Sequence, residues 1–269
     1  MSPVLWSIAA GFSVMLVSLC GIVFASRALS AWMGSRLSYL TTFSAGVLTI
    51  LAYHLVGESL RESSAPAFAV GSILVGVIVM EFIHRVLPDV HHHHEIPSDH
   101  HHTAIDGRKV LVSDAVHNIT DGFIIVPAFL VDWTIGLAAT AGVLLHELVQ
   151  NISEFFVLRE AGYGTRTALM LSFVASSTIL AGIVLALFLA SFATMLSLLA
   201  GFAAGGFLSV VVRDLLPHAF ESIKFSGRWL PHTVAAIIGM SLMLAVTNLV
   251  PHEEITPDAN QLSPIENAV

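Results

Sequence analysis

Two short runs hold the residues best suited to chemistry: His117-Asn118-Ile119-Thr120-Asp121-Gly122 and His146-Glu147-Leu148-Val149-Gln150-Asn151-Ile152-Ser153-Glu154. Imidazole nitrogen with carboxylate oxygen is a ligand palette for Zn²⁺, with Fe²⁺, Mn²⁺ and Cd²⁺ as competitors. Positions three and four apart share one face of a helix. His117 and Asp121 therefore project together, Asn118 joins Asp121, and Asp114 extends the stripe by one turn. In the second run His146, Gln150 and Glu154 form one line, and Glu147, Asn151 and Glu154 the adjacent line.

The elements that hold these groups are apolar. The chain is 55% hydrophobic and 11% charged, with mean hydropathy +0.83; a soluble domain carries about 25% charged residues. The fold class is therefore all-α, a polytopic membrane protein. Uninterrupted apolar length gives eight spans, near 4–26, 39–60, 66–87, 110–130, 134–158, 167–190, 194–217 and 230–250. The first has no basic leader and reads as a retained helix. An ionisable group inside such a span costs about 2.5–3.5 kcal/mol and marks an ion or substrate path. The lone Cys20 excludes an internal disulfide and a thiolate metal site.

Eight spans put both termini on one side. With the termini outside, only Arg61 of the eleven basic residues falls on the outer side, a strong positive-inside bias. Residues 1–250 then form one transmembrane domain. Residues 251–269 form an acidic outer tail, read as disordered, with Glu253, Glu254, Asp258 and Glu266. The long inner connection, residues 88–109, contains His91, His92, His93, His94, His100, His101 and His102, the pattern of a multivalent metal collector.

Other polar pairs lie along the spans. His54 and Glu58 near the end of the second echo Asp214 and His218 near the end of the seventh. These two spans run in opposite directions, as an inverted repeat of helices 1–3 and 6–8 requires. The first pair suits an entry role and the second an exit role; Asp114 is the first carboxylate met from the inner side. Glu81 and His84 read as interfacial residues. The run Gly201-Phe202-Ala203-Ala204-Gly205-Gly206 suits close helix approach.

Depth tests whether the two runs meet. At 1.5 Å per residue, His117 to Asp121 lie about 10–17 Å from the inner face and His146 to Glu154 about 6–18 Å. Antiparallel neighbours thus bring both clusters to one level.

The chain resembles the ZIP (Zrt/Irt-like) family of divalent metal transporters. His117-Asn118-x-x-Asp121-Gly122 fits the family's fourth-helix motif in full, His146-Glu147 matches the start of its fifth-helix motif, and His54-Leu55-x-x-Glu58 resembles its second-helix signature. The resemblance implies inward movement of zinc or a similar ion through a homodimer, by elevator-like sliding of a metal-holding bundle. It implies a bacterial inner (plasma) membrane, no required cofactor and no nucleic-acid partner; the partners are the ion, membrane lipid and a second copy. The fifth helix departs from the family's His-Glu-x-Pro-His/Gln-Glu-x-x-Asp: Val149 replaces the proline, Asn151 the second glutamate and Glu154 the aspartate. In two-metal relatives that glutamate bridges, so its loss argues for a single ion.

With neutral imidazoles, Asp121 and Glu147 balance one divalent cation to net zero, the cheaper state in low dielectric. The expected ligands are His117, Asp121, His146 and Gln150, with Glu147 as ligand or immediate neighbour. Asn118, Asn151 and Glu154 stand behind them or supply a second ion position. The rival class is an intramembrane zinc hydrolase, because His146-Glu147-Leu148-Val149-Gln150 falls one residue short of a His-Glu-x-x-His helix.

Overall fold

The computed structural model describes residues 2–20, 27–86, 107–191 and 195–249. The seven loop histidines and the acidic tail lie outside the described residues. Eight helices are long and apolar enough to cross a membrane, and the described residues contain no strand. They are α1 (Pro3–Val17), α2 (Arg27–Glu62), α3 (Pro66–Val86), α4 (Gly107–Val131) and α5 (Trp133–Glu160). There follow α6 (Thr165–Ala190), α7 (Met195–Ser226) and α8 (Trp229–Leu249). The all-α, eight-span expectation stands.

Two spans are not regular. Within α6 the helix is interrupted at Ser177 and Thr178, whose hydroxyls bond back to Val174 O at 2.6 Å and Ala175 O at 2.7 Å. The Thr178 hydroxyl also reaches Ala115 O on α4 at 2.6 Å, tying the break to the neighbouring helix. Within α7, residues Val211–Leu215 form a π-helical turn. Pro217 follows it, and a proline ring clashes with a regular carbonyl four residues back. The widened turn covers that position, so the helix continues to Ser226 instead of ending near 217 as expected from the apolar length. Gly227, at φ +69°, ends it in the left-handed conformation that glycine adopts without penalty.

Burial divides the helices. Within an 18-residue apolar stretch of each helix, 67% of the residues are buried in α4 and 61% in α5, against 17% in α3 and 22% in α8. The polar-rich α4 and α5 are thus central together with α7, which is buried to the same 61% as α5, while α3 and α8 turn Phe68, Ile78, Phe82, Ile237 and Ile238 outward. One cluster joining Leu48, Leu51, Ile124, Phe129 and Phe207 runs through α2, α4 and α7.

Glycines set the closest crossings, as van der Waals packing without a solvent-driven hydrophobic effect demands. A Cβ on Gly122 would overlap Ile179 O, and one on Gly182 would overlap Ile119 O, so α4 and α6 meet backbone to backbone. The same reciprocal arrangement pairs Gly46 and Gly239 between α2 and α8, and Gly76 and Gly205 between α3 and α7. Gly122 closes the run that begins at His117, so the tightest contact of α4 lies one residue from Asp121. Gly122→Ala is expected to destabilise the fold by about 1–3 kcal/mol through overpacking. Gly71→Ala, where nothing lies within 4 Å of the added methyl, should leave the thermal midpoint in detergent unchanged or raised. Equal midpoints for the two variants would refute the crossing as the constraint.

Candidate metal centre

The site is built on the α4–α5 hairpin. Asp132 alone connects the two helices and caps the second, its Oδ1 accepting from Thr134 N at 2.7 Å and Ile135 N at 3.4 Å. The Thr134 hydroxyl donates to the same oxygen. Trp6 of α1 stacks on Phe129 and Trp133 at 6.5 and 6.4 Å, bracing the hairpin from outside. So short a connection fixes the stagger of the helices and, with it, the level at which His117 faces His146.

The two imidazole Nε2 atoms lie 3.2 Å apart. Two nitrogens at Zn–N distances of 2.0–2.1 Å on a tetrahedron stand about 3.3 Å apart, so this spacing matches one edge of a zinc polyhedron. Glu147 Oε1 lies 3.7 Å and Asp121 Oδ1 3.8 Å from His117 Nε2. Ligand atoms of His117, His146 and Glu147 fall within 4.8 Å of one another. All four side chains are buried, and Asp121 Oδ2 and Glu147 Oε1 have no hydrogen-bond partner. Buried carboxylate oxygen without a donor is costly, and a cation among these groups would satisfy it.

Amides hold the carboxylates. Asn151 Nδ2 donates to Glu147 Oε2 at 3.0 Å and to Glu147 O at 2.8 Å, and the Ser176 hydroxyl donates to Asn151 Oδ1 at 3.3 Å. The expected ligand Gln150 is buried, and its Nε2 donates to Asp114 Oδ1 at 2.8 Å. Asn118 Nδ2 reaches the same Asp114 oxygen at 3.1 Å. Asp114, Asn118, Gln150 and Glu154 are thus gathered one helical turn from the histidines, and all are buried.

His84, read from the sequence as interfacial, departs from that expectation. Its side chain is 7% exposed; Nε2 lies 3.1 Å from Asp214 and its ring is 6.5 Å from that of His117. The physical reason is the π turn, which contains Asp214 and presents it to α3. Arg213, next to it, instead pairs with Glu81 at 3.1 Å, as does Arg85 at 2.8 Å. His54 lies edge-on to Tyr53, Glu58 pairs with Arg61 at 3.3 Å, and His218 is half-buried on α7. Besides His84, sequence reasoning missed Ser172 and Ser176. A histidine inside an apolar span was signal enough for the first, whereas nothing in the sequence distinguishes these two serines from the chain's others.

The model of the family described as ZIP zinc transporter matches residues 109–247, a stretch that contains both motifs and just over half of the chain. IAA-alanine resistance protein 1 of Arabidopsis thaliana is 35% identical over 139 residues, 51% of this chain and 30% of that protein. Human zinc transporter ZIP4 is 32% identical over 141 residues, covering 51% of this chain and 22% of its own length. The zinc transporter zipt-7.2 of Caenorhabditis elegans is 29% identical over 141 residues, with shares of 51% and 30%. The chain therefore spans less than a third of the length of these curated relatives. With eight apolar spans and both motifs in place, the chain is an integral membrane protein and belongs to the ZIP zinc transporter family.

Proposed function

We propose that this protein is a carrier that moves a divalent transition-metal ion, foremost Zn²⁺, inward across the membrane. The single observation that carries the reading is the buried group of His117, His146 and Glu147, whose ligand atoms converge within 4.8 Å between antiparallel helices. Asp121 completes the set, and Gln150 and Asn118 flank it as weak oxygen donors. Net neutrality with a bound dication keeps the low-dielectric cost small. Weak flanking amides limit the grip: a carrier must release its ion, unlike structural zinc sites with apparent affinities of about 10–16 kcal/mol. Two of the relatives compared are named zinc transporters and the family model that matches this chain is described as ZIP zinc transporter, and the choice of metal is carried over from them.

The direction rests on charge. Placing the basic residues inside sets the termini and the acidic tail outside, with the His-rich loop in the cytoplasm as a collector of delivered ions. His54 and Glu58 then stand on the entry side, and Asp214, with His84 and His218, on the exit side. The inverted repeat of helices 1–3 and 6–8 is supported by the glycine crossings, because α2 with α8 and α3 with α7 exchange places under such a symmetry. A homodimer in the bacterial plasma membrane is the assembly proposed, with the apolar outer faces of α3 and α8 available for lipid or a second copy. The hydrolase reading is disfavoured by Glu147. In a His-Glu-x-x-His enzyme that glutamate acts on the metal's water, whereas here its carboxylate is grouped with the metal-ligand nitrogens.

Proteoliposomes loaded with a zinc-sensitive dye test the reading. Zn²⁺ entry is expected in the wild type and should fall in His117→Ala by more than the roughly 10–100-fold that loss of an outer-shell partner alone costs; peptide cleavage with no flux would replace the carrier by the hydrolase. Asn151→Glu exchanges the donor on Glu147 for a third carboxylate. It should lower both the half-saturating Zn²⁺ concentration and the maximal rate several-fold, and unchanged kinetics would sink the charge-balance argument.

A further inference from the structure

We infer that Arg85 and Arg213 form a binding site for one anionic phospholipid of the inner leaflet. The two guanidiniums hold its headgroup phosphate, and the outward faces of α3 and α7 receive its acyl chains. The choice of leaflet rests on the orientation proposed above, whereas the binding rests on residues outside the metal centre.

Arg85 stands in the last turn of α3 and Arg213 in the π turn of α7. Their depth follows from the opposite ends of the two helices. At 1.5 Å of rise per residue, Arg85 lies about 28 Å along α3 from Pro66, and Arg213 about 27 Å along α7 from Met195. The hydrocarbon core of a bilayer is about 30 Å thick. Both side chains therefore sit where acyl chains give way to headgroups.

Glu81 draws the two cations together. Its Oε1 accepts from Arg85 Nε at 2.8 Å, and its Oε2 lies 3.1 Å from Arg213 Nε. Two guanidiniums thus share one carboxylate, which leaves a positive charge in surplus. Asp214, next in sequence, does not cancel it, because that carboxylate is buried and faces His84 at 3.1 Å. The shared contacts use one Nε of each arginine and leave the terminal Nη nitrogens for another acceptor. Arg85 is 74% exposed and Arg213 47%, against 29% for Glu81, so the cations stand proud of the acid between them. A planar guanidinium presents its donors as a fork that fits phosphate oxygens bidentately.

Toward the membrane centre the two helices turn apolar side chains outward. Ile78 lies on the stripe of α3 that continues through Glu81 to Arg85 and is 63% exposed. On α7, Leu208 and Val212 precede Arg213 and are 44% and 52% exposed. Surplus positive charge above an apolar face complements a phospholipid; a soluble anion would gain nothing from the face. The inner leaflet carries the anionic lipids. A second copy fits less well, since two-fold docking on this patch sets its surplus charge against an identical one. Because Arg213 and Asp214 share the π turn, a headgroup held by the first braces the turn that presents the second to His84.

Native mass spectrometry of the purified full-length protein in neutral detergent tests the site without reference to transport or sidedness. Phosphatidylglycerol and phosphatidylcholine with identical acyl chains are titrated in parallel. The wild type should retain one phosphatidylglycerol per chain in preference to phosphatidylcholine. Arg85→Gln/Arg213→Gln should weaken that adduct by roughly 30-fold, about fivefold for each arginine, and leave phosphatidylcholine unchanged. If this variant does not stay monodisperse, Arg85→Gln alone, on the more exposed side chain, should give the single step. Glu81→Gln removes the competing carboxylate and should tighten the adduct, a gain that a merely weakened fold would not produce. Equal retention of the two lipids by the wild type, or unchanged phosphatidylglycerol binding in the arginine variants, overturns the site. Displacement of the lipid by equimolar inorganic phosphate overturns the phospholipid as its occupant. A changed monomer–dimer ratio with lipid binding unaltered overturns it in favour of a second copy.

Discussion

Burying carboxylates where neither water nor bulk solvent can reach them is the constraint that organises this protein. Asp114, Asp121, Glu147 and Glu154 are at most 1% exposed, and each buried ion carries an effective penalty of several kcal/mol unless it is compensated. The partners they meet are imidazoles, amides and hydroxyls: His117 near Asp121 and Glu147, Asn151 on Glu147, and Gln150 with Asn118 on Asp114. Neutral donors orient a carboxylate without cancelling its charge. A charge left uncancelled in this way remains available to a mobile cation, which a fixed lysine or arginine would preclude.

Orientation on this scale needs rigid backbone, and the fold supplies it by removing side chains where helices cross. Gly122 and Gly182 let α4 lie on α6 through main-chain atoms, and Thr178 fastens the same contact through Ala115 O. Asp132 joins α4 to α5 with no slack. Because interiors are close-packed, the spacing between His117 and His146 follows from these contacts rather than from the histidines themselves. Helices α3 and α8 cross α7 and α2 in the same way, through Gly76 with Gly205 and Gly46 with Gly239, while turning largely apolar faces outward.

The π turn in α7 shows how an irregularity places a functional group. Such turns recur at sites of function because they rotate one residue out of the regular stripe. Here the residue is Asp214, which meets His84 at 3.1 Å and so brings α3 and α7 up to the edge of the α4–α5 cluster. Arg213 is left to pair with Glu81. The consequence is a chain of acidic and imidazole groups that runs from the centre of the protein to one end of the helices.

The number of spans, their helical class and the meeting of the two motifs at one level were legible in the sequence. Apolar length, 1.5 Å of rise per residue and the three-and-four spacing are local properties that each segment carries with it. The C-terminal end of α7 and the setting of His84 were not legible, because a π turn arises from a proline and its neighbours acting together, and a histidine's surroundings belong to other helices. Nor did spacing reveal that Gln150 would rest on Asp114, or that Ser172 and Ser176 of α6 would stand behind Glu154 and Asn151. Sequence by itself determined which side chains share a helical face; only the tertiary structure decided which faces touch, since that depends on where glycine lets two backbones come together.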